Sequence, residues 1–262
     1  PQYRLLTCSY VDNSAPNAGV LTTTSGGDAH MPKVRFDTSM SQMERDAIRA
    51  MRRSYGEVGL ESLPADPFDA FGGWLSEAAA NDFIVEANAM VLSTLGSDAK
   101  GADAISTRTV LLKDVSEGGF TFFSNYSSRK AQAIELHEQV TLLFPWYAME
   151  RQVSISGFAT KISRAESEDY FATRPWGSQI GAWASAQSAP LLSREELEQR
   201  YAGAAQKWPE GTTVPCPPQW GGYRVTPISI EFWQGRYSRL HDRLRYERDN
   251  TSSDWEVSRY YP

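Results

Sequence analysis

Glu231-Phe-Trp-Gln-Gly-Arg-Tyr-Ser-Arg-Leu-His-Asp-Arg243 is the stretch that decides how this chain is read. Ile228, Ile230 and Phe232 alternate into it, and Leu240, Leu244 and Tyr246 follow, the period-two pattern of half-buried strand. If residues 239–246 are extended, Arg239, His241, Arg243 and Arg245 share one face, and Leu240, Asp242, Leu244 and Tyr246 share the other. A row of cations with an imidazole, beside Trp233, suits a flat anionic ligand. The stretch holds one of the chain's three histidines and one of its eight tryptophans.

Upstream, the same β signal recurs from Asn88 onward. Candidate strands are 89–95, 105–115, 120–124, 140–146 and 152–162, then 221–227, 228–235, 239–248 and a last one near 255–261. Helices are predicted from Ser41 to about Tyr55 and from about Ser128 to His137. Another starts at Asp66-Pro67, an N-cap with Pro at the first helical position, and carries Phe68, Phe71, Trp74, Leu75 and Ala78 at helical spacing. Ser163-Arg-Ala-Glu166 and Ser193-Arg-Glu-Glu196 fit capping boxes. Many short strands joined by tight turns predict a mainly β fold with flanking helices, an α+β domain built on a β-barrel. Residues 1–40, rich in Ser, Thr, Asn and Gly, are expected to be a mobile arm, and residues 41–262 a single domain.

With 262 residues, 41% of them hydrophobic, the chain can bury a sizeable core. A formal net charge of −6 disfavours a general nucleic-acid binder, although clustered cations leave a local anion site open. Cys8 and Cys216 have no metal spacing, and neither His30 nor His137 forms a set with His241, so no metal site is expected. No apolar run is long enough for a transmembrane helix. Cytoplasm is the default compartment. The chain begins at Pro1, so a removed targeting segment stays open.

Four further clusters suit anions. Thr107-Arg-Thr-Val-Leu-Leu-Lys113 carries Arg108 and Lys113, which fall on opposite faces of an undisturbed strand. They meet one ligand only if the strand ends, bulges or lies at a subunit seam, and otherwise they are solvated charges. Ser127-Ser-Arg-Lys130 enters a helix, where free amides and two cations make a phosphate cradle or else an ordinary N-cap. Tyr170 and Arg174 lie one helical turn apart, with Ser178 in the turn expected after Pro175. Together they suit a phosphate monoester, or else form a solvated helix end. Gln187-Ser188 follows the small residues Gly181-Ala-Trp-Ala-Ser185. No Rossmann fingerprint, P-loop or nucleophile elbow is present, so chemistry at such a site belongs most naturally to a bound cofactor.

These motifs resemble the pyridoxine (pyridoxamine) 5′-phosphate oxidase family. The likeness spans residues 49–262. Its motifs are Arg108-Thr-Val-Leu-Leu-Lys113, Ser128-Arg-Lys130, Phe144-Pro-Trp146 with Glu150-Arg-Gln-Val153, Ser178-Gln-Ile-Gly-Ala-Trp183 with Gln187-Ser188, Trp220-Gly-Gly222, and Glu231-Phe-Trp-Gln-Gly235 with Arg239-Leu-His-Asp-Arg243. The resemblance implies an FMN-binding split β-barrel and a homodimer with FMN at the subunit interface. It implies FMN contacts from Arg108, Thr109, Val110, Leu111, Leu112, Lys113, Phe123, Ser124, Arg129, Lys130, Gln152, Gln187, Ser188, Trp233 and Arg243. Lys113, Tyr170, Arg174 and Ser178 would hold the substrate phosphate. Arg239 and His241 would lie over the pyridine ring, as the catalytic pair. Arg52 and Tyr55 match a segment that can close over the substrate. Arg245 gains no role and is expected to be solvated. Two departures stand out. Phe123-Ser124 replaces a common Tyr-Thr, and the segment after Leu60 is short and acidic.

The implied activity is oxidation of pyridoxine 5′-phosphate and pyridoxamine 5′-phosphate by O2 to pyridoxal 5′-phosphate, with release of H2O2, and of NH3 from the amine. The alternatives are a split-barrel flavin reductase using NAD(P)H and a flavin or pyridoxal phosphate carrier without turnover. The first leaves Tyr170, Arg174, Arg239 and His241 unexplained.

Overall fold

The computed structural model describes residues 42–51, 54–98, 100–116 and 118–262. The expected arm, with Cys8 and His30, lies outside them, as does Arg52. Packing divides the chain between Arg52 and Arg53. Of the first unit, the described element is helix α1 (Gln42–Ala50), shorter than the sequence suggested.

The second unit runs α2 (Pro67–Ala79), β1 (Ala89–Ser97), β2 (Asp103–Leu111), β3 (Asp114–Ser116), β4 (Gly119–Asn125), α3 (Arg129–Leu136), β5 (Gln139–Trp146), β6 (Arg151–Lys161), α4 (Arg164–Thr173), α5 (Trp176–Ala184), α6 (Arg194–Lys207), β7 (Trp220–Gln234), β8 (Asp242–Glu247) and β9 (Glu256–Tyr260). All nine strands join one antiparallel sheet in the order β2-β1-β5-β6-β7-β4-β3, with β8 on β7 and β9 on β8. The expected fold class, mainly β with flanking helices in a split barrel, is the one observed.

The helix starts follow their local chemistry. Asp66 accepts the Phe68 amide at 2.8 Å, and Pro67 takes the first helical position. Ser128 caps α3, and Ser163 with Glu166 closes the full capping box of α4. Helix α2 buries Phe71 against Phe120 and Phe144, each with ring centroids 4.9 Å apart, and Trp74 against Phe232 at 5.1 Å. These aromatics belong to the main apolar core, and each large ring buried there contributes roughly 1.5–3 kcal/mol.

Three strand expectations change. The run 105–115 breaks into β2 and β3, leaving Leu112 and Lys113 between them. The runs 221–227 and 228–235 fuse into the fifteen-residue β7. Pro227, which has no N–H to give, sits opposite Gly157 where β6 shifts register, so the bulge absorbs it and the strand continues. The run 239–246 is not extended throughout. Tyr237–Arg239 forms a 3-10 turn in which Ser238 and Arg239 have φ of 55° and 64°, and β8 begins only at Asp242. Left-handed backbone cannot continue a strand, so Arg239 and His241 do not share the face of Arg243 and Arg245 by alternation.

A side chain at Gly157 has no room. A Cβ there would stand 2.2 Å from the Thr226 carbonyl oxygen and 2.8 Å from Pro227 Cα, both backbone atoms of the next strand. Gly157→Ala is therefore expected to lower unfolding free energy by about 2–3 kcal/mol, read as a shift in urea midpoint. A midpoint equal to wild type would show that the bulge relaxes freely.

Candidate active site

The break after β2 has a consequence for the site. Because the strand ends at Leu111, Arg108 and Lys113 both line one cleft of about 990 Å³, although sequence alternation put them on opposite faces. Thr109, Val110 and Leu111 line it from β2, and Phe123 and Ser124 from β4. Arg129 and Lys130 face it from the start of α3, and Tyr170, Arg174 and Ser178 from α4 and α5. Gln187 and Ser188 complete the wall. Leu112 does not line it; its side chain is in the core, 4% exposed. Ser178 lies in the first turn of α5 rather than in a loop, because Pro175 ends α4 and immediately opens the next helix.

One end of the cleft gathers three cations. Arg108 Nη1 donates to the Leu92 carbonyl at 3.0 Å and to Thr94 Oγ1 at 2.9 Å, and Nη2 donates to Ser106 Oγ. Lys130 Nζ donates to Gln187 Oε1 at 2.9 Å, Ser124 Oγ at 3.1 Å and Ser128 Oγ at 3.4 Å. All of these acceptors are neutral. Burial, and then the neighbouring Arg108, push the Lys130 ammonium down to about 8. Burial, and then Arg129, lower Arg108 as well. Such a cluster is short of an anion.

The other end is aromatic and holds Arg174. Phe123 stacks on Tyr170 with centroids 3.9 Å apart and planes at 17°, and on Trp220 at 5.2 Å and 11°. The Arg174 guanidinium lies 4.7 Å over Trp220, and its buried Nη1 has no hydrogen-bond partner. A buried donor without an acceptor costs about 1–3 kcal/mol, so this end too calls for an acceptor oxygen. Phe123, which carries no phenol donor, serves as the middle ring of a stack.

Tyr55, Gln152, Trp233, Arg239, His241 and Arg243 do not line this cleft. Trp220 and Trp233 lie thirteen residues apart on β7, roughly 40 Å of strand. Around Trp233 the structure assembles a second cluster. The His241 ring is 4.6 Å from Trp233, and Tyr55 packs edgewise on Trp233 at 5.9 Å and on His241 at 5.6 Å. Gln152 pairs with Trp233 across β6 and β7. The Arg236 amide donates to His241 Nδ1 at 3.0 Å, which assigns the ring proton to Nε2. Burial, and then Arg239, lower the His241 pKa, so the ring is a neutral donor at pH 7. Arg243 is clamped in bidentate fashion by Glu231 at 3.0 and 2.8 Å. Arg245, expected to be solvated, donates to Glu231 Oε2 at 2.8 Å and stacks 4.2 Å over Tyr260. Burial alone would raise Glu231; the bonds from Arg243 and Arg245 outweigh it and hold the carboxyl below its usual range.

Thr94, Ser106, Glu231 and Asp242 support these clusters and gained no role from sequence. Thr94 reaches Arg108 only because it faces Ser106 in the β1–β2 register, a pairing that no local pattern reveals. Among the described residues, no three His, Cys, Asp or Glu side chains converge to hold a metal, and no helix is long and apolar enough to cross a membrane.

Residues 76–207 match the family described as pyridoxamine 5′-phosphate oxidase, and residues 220–262 match the pyridoxine 5′-phosphate oxidase C-terminal dimerisation region. A pyridoxine/pyridoxamine 5′-phosphate oxidase of Streptomyces avermitilis is 48% identical over 227 residues, covering 84% of this chain and 99% of that protein. One from Burkholderia orbicola is 49% identical over 215 residues, covering 81% and 97%. Among solved structures, PhzG of Burkholderia lata 383, in complex with tetrahydrophenazine-1-carboxylic acid, superposes with a TM-score of 0.68 at 30% identity, over 76% of this chain and 94% of that one. A pyridoxamine 5′-phosphate oxidase-related, FMN binding protein of Nostoc punctiforme shares the fold at a TM-score of 0.57 and 16% identity, over 78% and 100%. With its cleft, its cationic poles and nearly full-length relatives at this identity, the chain belongs to the pyridoxine/pyridoxamine 5′-phosphate oxidase family.

Proposed function

We propose that this protein is an FMN-dependent oxidase that converts pyridoxine 5′-phosphate and pyridoxamine 5′-phosphate to pyridoxal 5′-phosphate with O2. The carrying observation is a single cleft with two cationic poles, each short of an anion. The chemistry of the donors fits two phosphates. Lys130, Arg108 and Arg129, with Ser124, Gln187 and Ser188, would hold the phosphate of FMN, and Thr109, Val110 and Leu111 would line its ring. Arg174, with Tyr170, Ser178 and Lys113, would hold the phosphate of the substrate, and Arg174 Nη1 would find its missing acceptor there. The relatives named as oxidases of these vitamers support that assignment.

Bound FMN would supply the acceptor for a hydride equivalent from C4′ and return two electrons to O2. The alcohol with O2 gives the aldehyde and H2O2; the amine with O2 and water gives the aldehyde, NH3 and H2O2. The chain's own part is placement. Neutral His241 can donate from Nε2 to the phenolic oxygen of the pyridine, and Arg239 can orient the same ring; neither has to act as a strong base. Tyr55 stands on Trp233 and His241, where it can cover the substrate.

A homodimer completes this arrangement. Trp233, Arg239, His241 and Arg243 fall within the stretch that matches a dimerisation region, and in one chain they stand away from the cleft. Gln152, Trp233, Arg239, His241 and Arg243 of one subunit would then serve the cleft of the other, with Arg243 held in place for the flavin by Glu231.

Aerobic assay of the FMN-loaded protein on both phosphorylated substrates should yield pyridoxal phosphate and peroxide in equal amounts. Flavin reduction by NADPH without either substrate would favour a reductase, and a yellow protein that makes no peroxide would favour a carrier. Arg239→Ala and His241→Ala should each lower turnover about 100-fold while FMN stays bound; unchanged turnover removes that residue from the mechanism. A separate signature belongs to Lys130. An anion favours its ammonium form, which the empty pole loses near pH 8. FMN affinity should therefore fall about tenfold between pH 7 and pH 9. In Lys130→Arg, which keeps its charge, fluorescence titration should give a flat profile. A flat wild-type profile would take Lys130 out of the phosphate site.

A further inference from the structure

The carboxylate of Asp242 is a node of bonds beside the imidazole cluster. Its side chain is 14% exposed and sits at the first residue of β8. Oδ2 accepts the Leu60 amide at 2.9 Å and Arg236 Nη1 at 3.4 Å. Oδ1 accepts Arg259 Nη1 at 2.6 Å, and the other arm of Arg259 donates to the Leu60 and Glu61 carbonyls at 2.8 and 3.0 Å. One carboxylate thus ties together β9, the turn after β7 and the backbone of residues 59–61.

Each tie leads back to His241. Arg236 holds Asp242 with its side chain and His241 Nδ1 with its backbone amide, so whatever fixes Arg236 also fixes the imidazole. Leu60 ends a short segment whose other end is Tyr55, the ring packed on His241 and Trp233. Between them the backbone runs tight. A Cβ on Gly59 would stand 3.2 Å from both Arg236 Nη1 and Asp242 Oδ2. Gly56 is pinned on both sides, its amide to Glu150 Oε2 at 2.9 Å and its carbonyl to the Tyr237 amide at 3.1 Å.

We propose that Asp242 is a positioning residue for the reaction: through Arg236 it holds His241 as the Nε2–H tautomer, and through Leu60 and Arg259 it holds Tyr55 against that ring. The proposal rests on the assignment of His241 to the substrate. Asp242 itself touches neither substrate nor flavin in this scheme. The carboxylate is mostly shielded and two of its three partners are cations, so loss of its charge weakens the hold on two guanidinium groups and one amide together.

The test uses the FMN-loaded protein labelled with 15N-histidine, in which only three imidazoles report and His241→Gln identifies one of them. In wild type the His241 signal should be that of a single Nε2–H tautomer. In Asp242→Asn it should become a tautomer mixture, and kcat should fall about tenfold while FMN affinity stays within about twofold. A merely structural role would lower thermal stability and leave the tautomer signal alone. A folded Asp242→Asn protein with wild-type tautomer and kcat would overturn the proposal. Should that variant not fold, Arg259→Gln decides the question, because it removes one partner of Asp242 at a half-exposed position. It should shift the same tautomer signal, and an unchanged signal with unchanged kcat would overturn the proposal. If wild type oxidises neither vitamer phosphate, the functional assignment fails, and the tautomer measurement still reports on Asp242.

Discussion

The architecture depends on one close approach, where Gly157 of β6 meets Thr226 and Pro227 of β7 with no room for a side chain. At this point β6 shifts its register and Pro227 finds a position that asks for no N–H. Here too β7 changes its outer neighbour. Residues 220–225 bond to β4, and residues 229–234 bond to β8. A straight strand keeps one neighbour along each edge; the bulge adds the twist that lets the second edge divide. The barrel splits there, and the two ends of β7 carry different work. Trp220 floors the aromatic end of the cleft, and Trp233 backs the imidazole. A site that needs both ends of one strand is most simply assembled from two copies of the chain, which is the physical content of the proposed homodimer.

Charge then sorts the arginines and lysines into two populations. Arg243, Arg245, Arg259 and Arg151 each face a carboxylate and hold strands and turns together. Arg108 and Lys130 are held by hydroxyls, an amide and a carbonyl, and Arg174 lies on an aromatic ring. Neutral partners fix a cation in place without cancelling its charge, so the field is kept for a ligand. The lowered pKa values of Arg108, Lys130 and Arg174 are the cost of keeping those charges buried and unpaired, and a bound phosphate would relieve it. The same distinction explains why the cleft tolerates so many cations in a chain whose overall charge is −6.

Much of this was legible in the sequence, and the limits have physical causes. Helix starts at Asp66, Ser128 and Ser163 depend on neighbours two or three residues away, so the caps could be read directly. The strand content was legible from alternation, but fusion of 221–227 with 228–235 depended on a bulge at Ile228, which shows only in the pairing with β6. Alternation misplaced Arg239 and His241 because Ser238 and Arg239 are left-handed, and neither is a residue type that announces such a backbone. The family resemblance named many residues that line the cleft, Arg108 and Lys113 included, along with Tyr55, Leu112, Gln152, Trp233, Arg239, His241 and Arg243, which do not. It could not say that Thr94 and Ser106 hold Arg108, since that socket exists only through the β1–β2 register. Nor could it distinguish a solvated Arg245 from one bound to Glu231, a partner fourteen residues away on the neighbouring strand.

Backbone strain follows the same division of the molecule. Among the described residues, four other than glycine have positive φ: Glu150, Ser188, Ser238 and Arg239. Ser188 lines the cleft; Ser238 and Arg239 lie in the turn that leads to His241, and Glu150 bonds to Gly56 and Gly235. Each such residue costs about 1–3 kcal/mol and persists only where its surroundings hold it. At Glu150 the holding bonds are visible. Its carbonyl accepts the Gly235 amide at 2.7 Å and Gln234 Nε2 at 3.3 Å, and its carboxylate accepts the Gly56 amide. Three bonds at about 1 kcal/mol each are of the right size to offset the strain. The Ser238–Arg239 pair is held instead at its two ends, by the Tyr237 amide on Gly56 and by the Arg236 amide on His241. The same bonds that stabilise the left-handed turn therefore also fix the imidazole and the Tyr55 segment. Relaxing the turn would release both, which ties the backbone conformation of Arg239 to the tautomer of a ring two residues away.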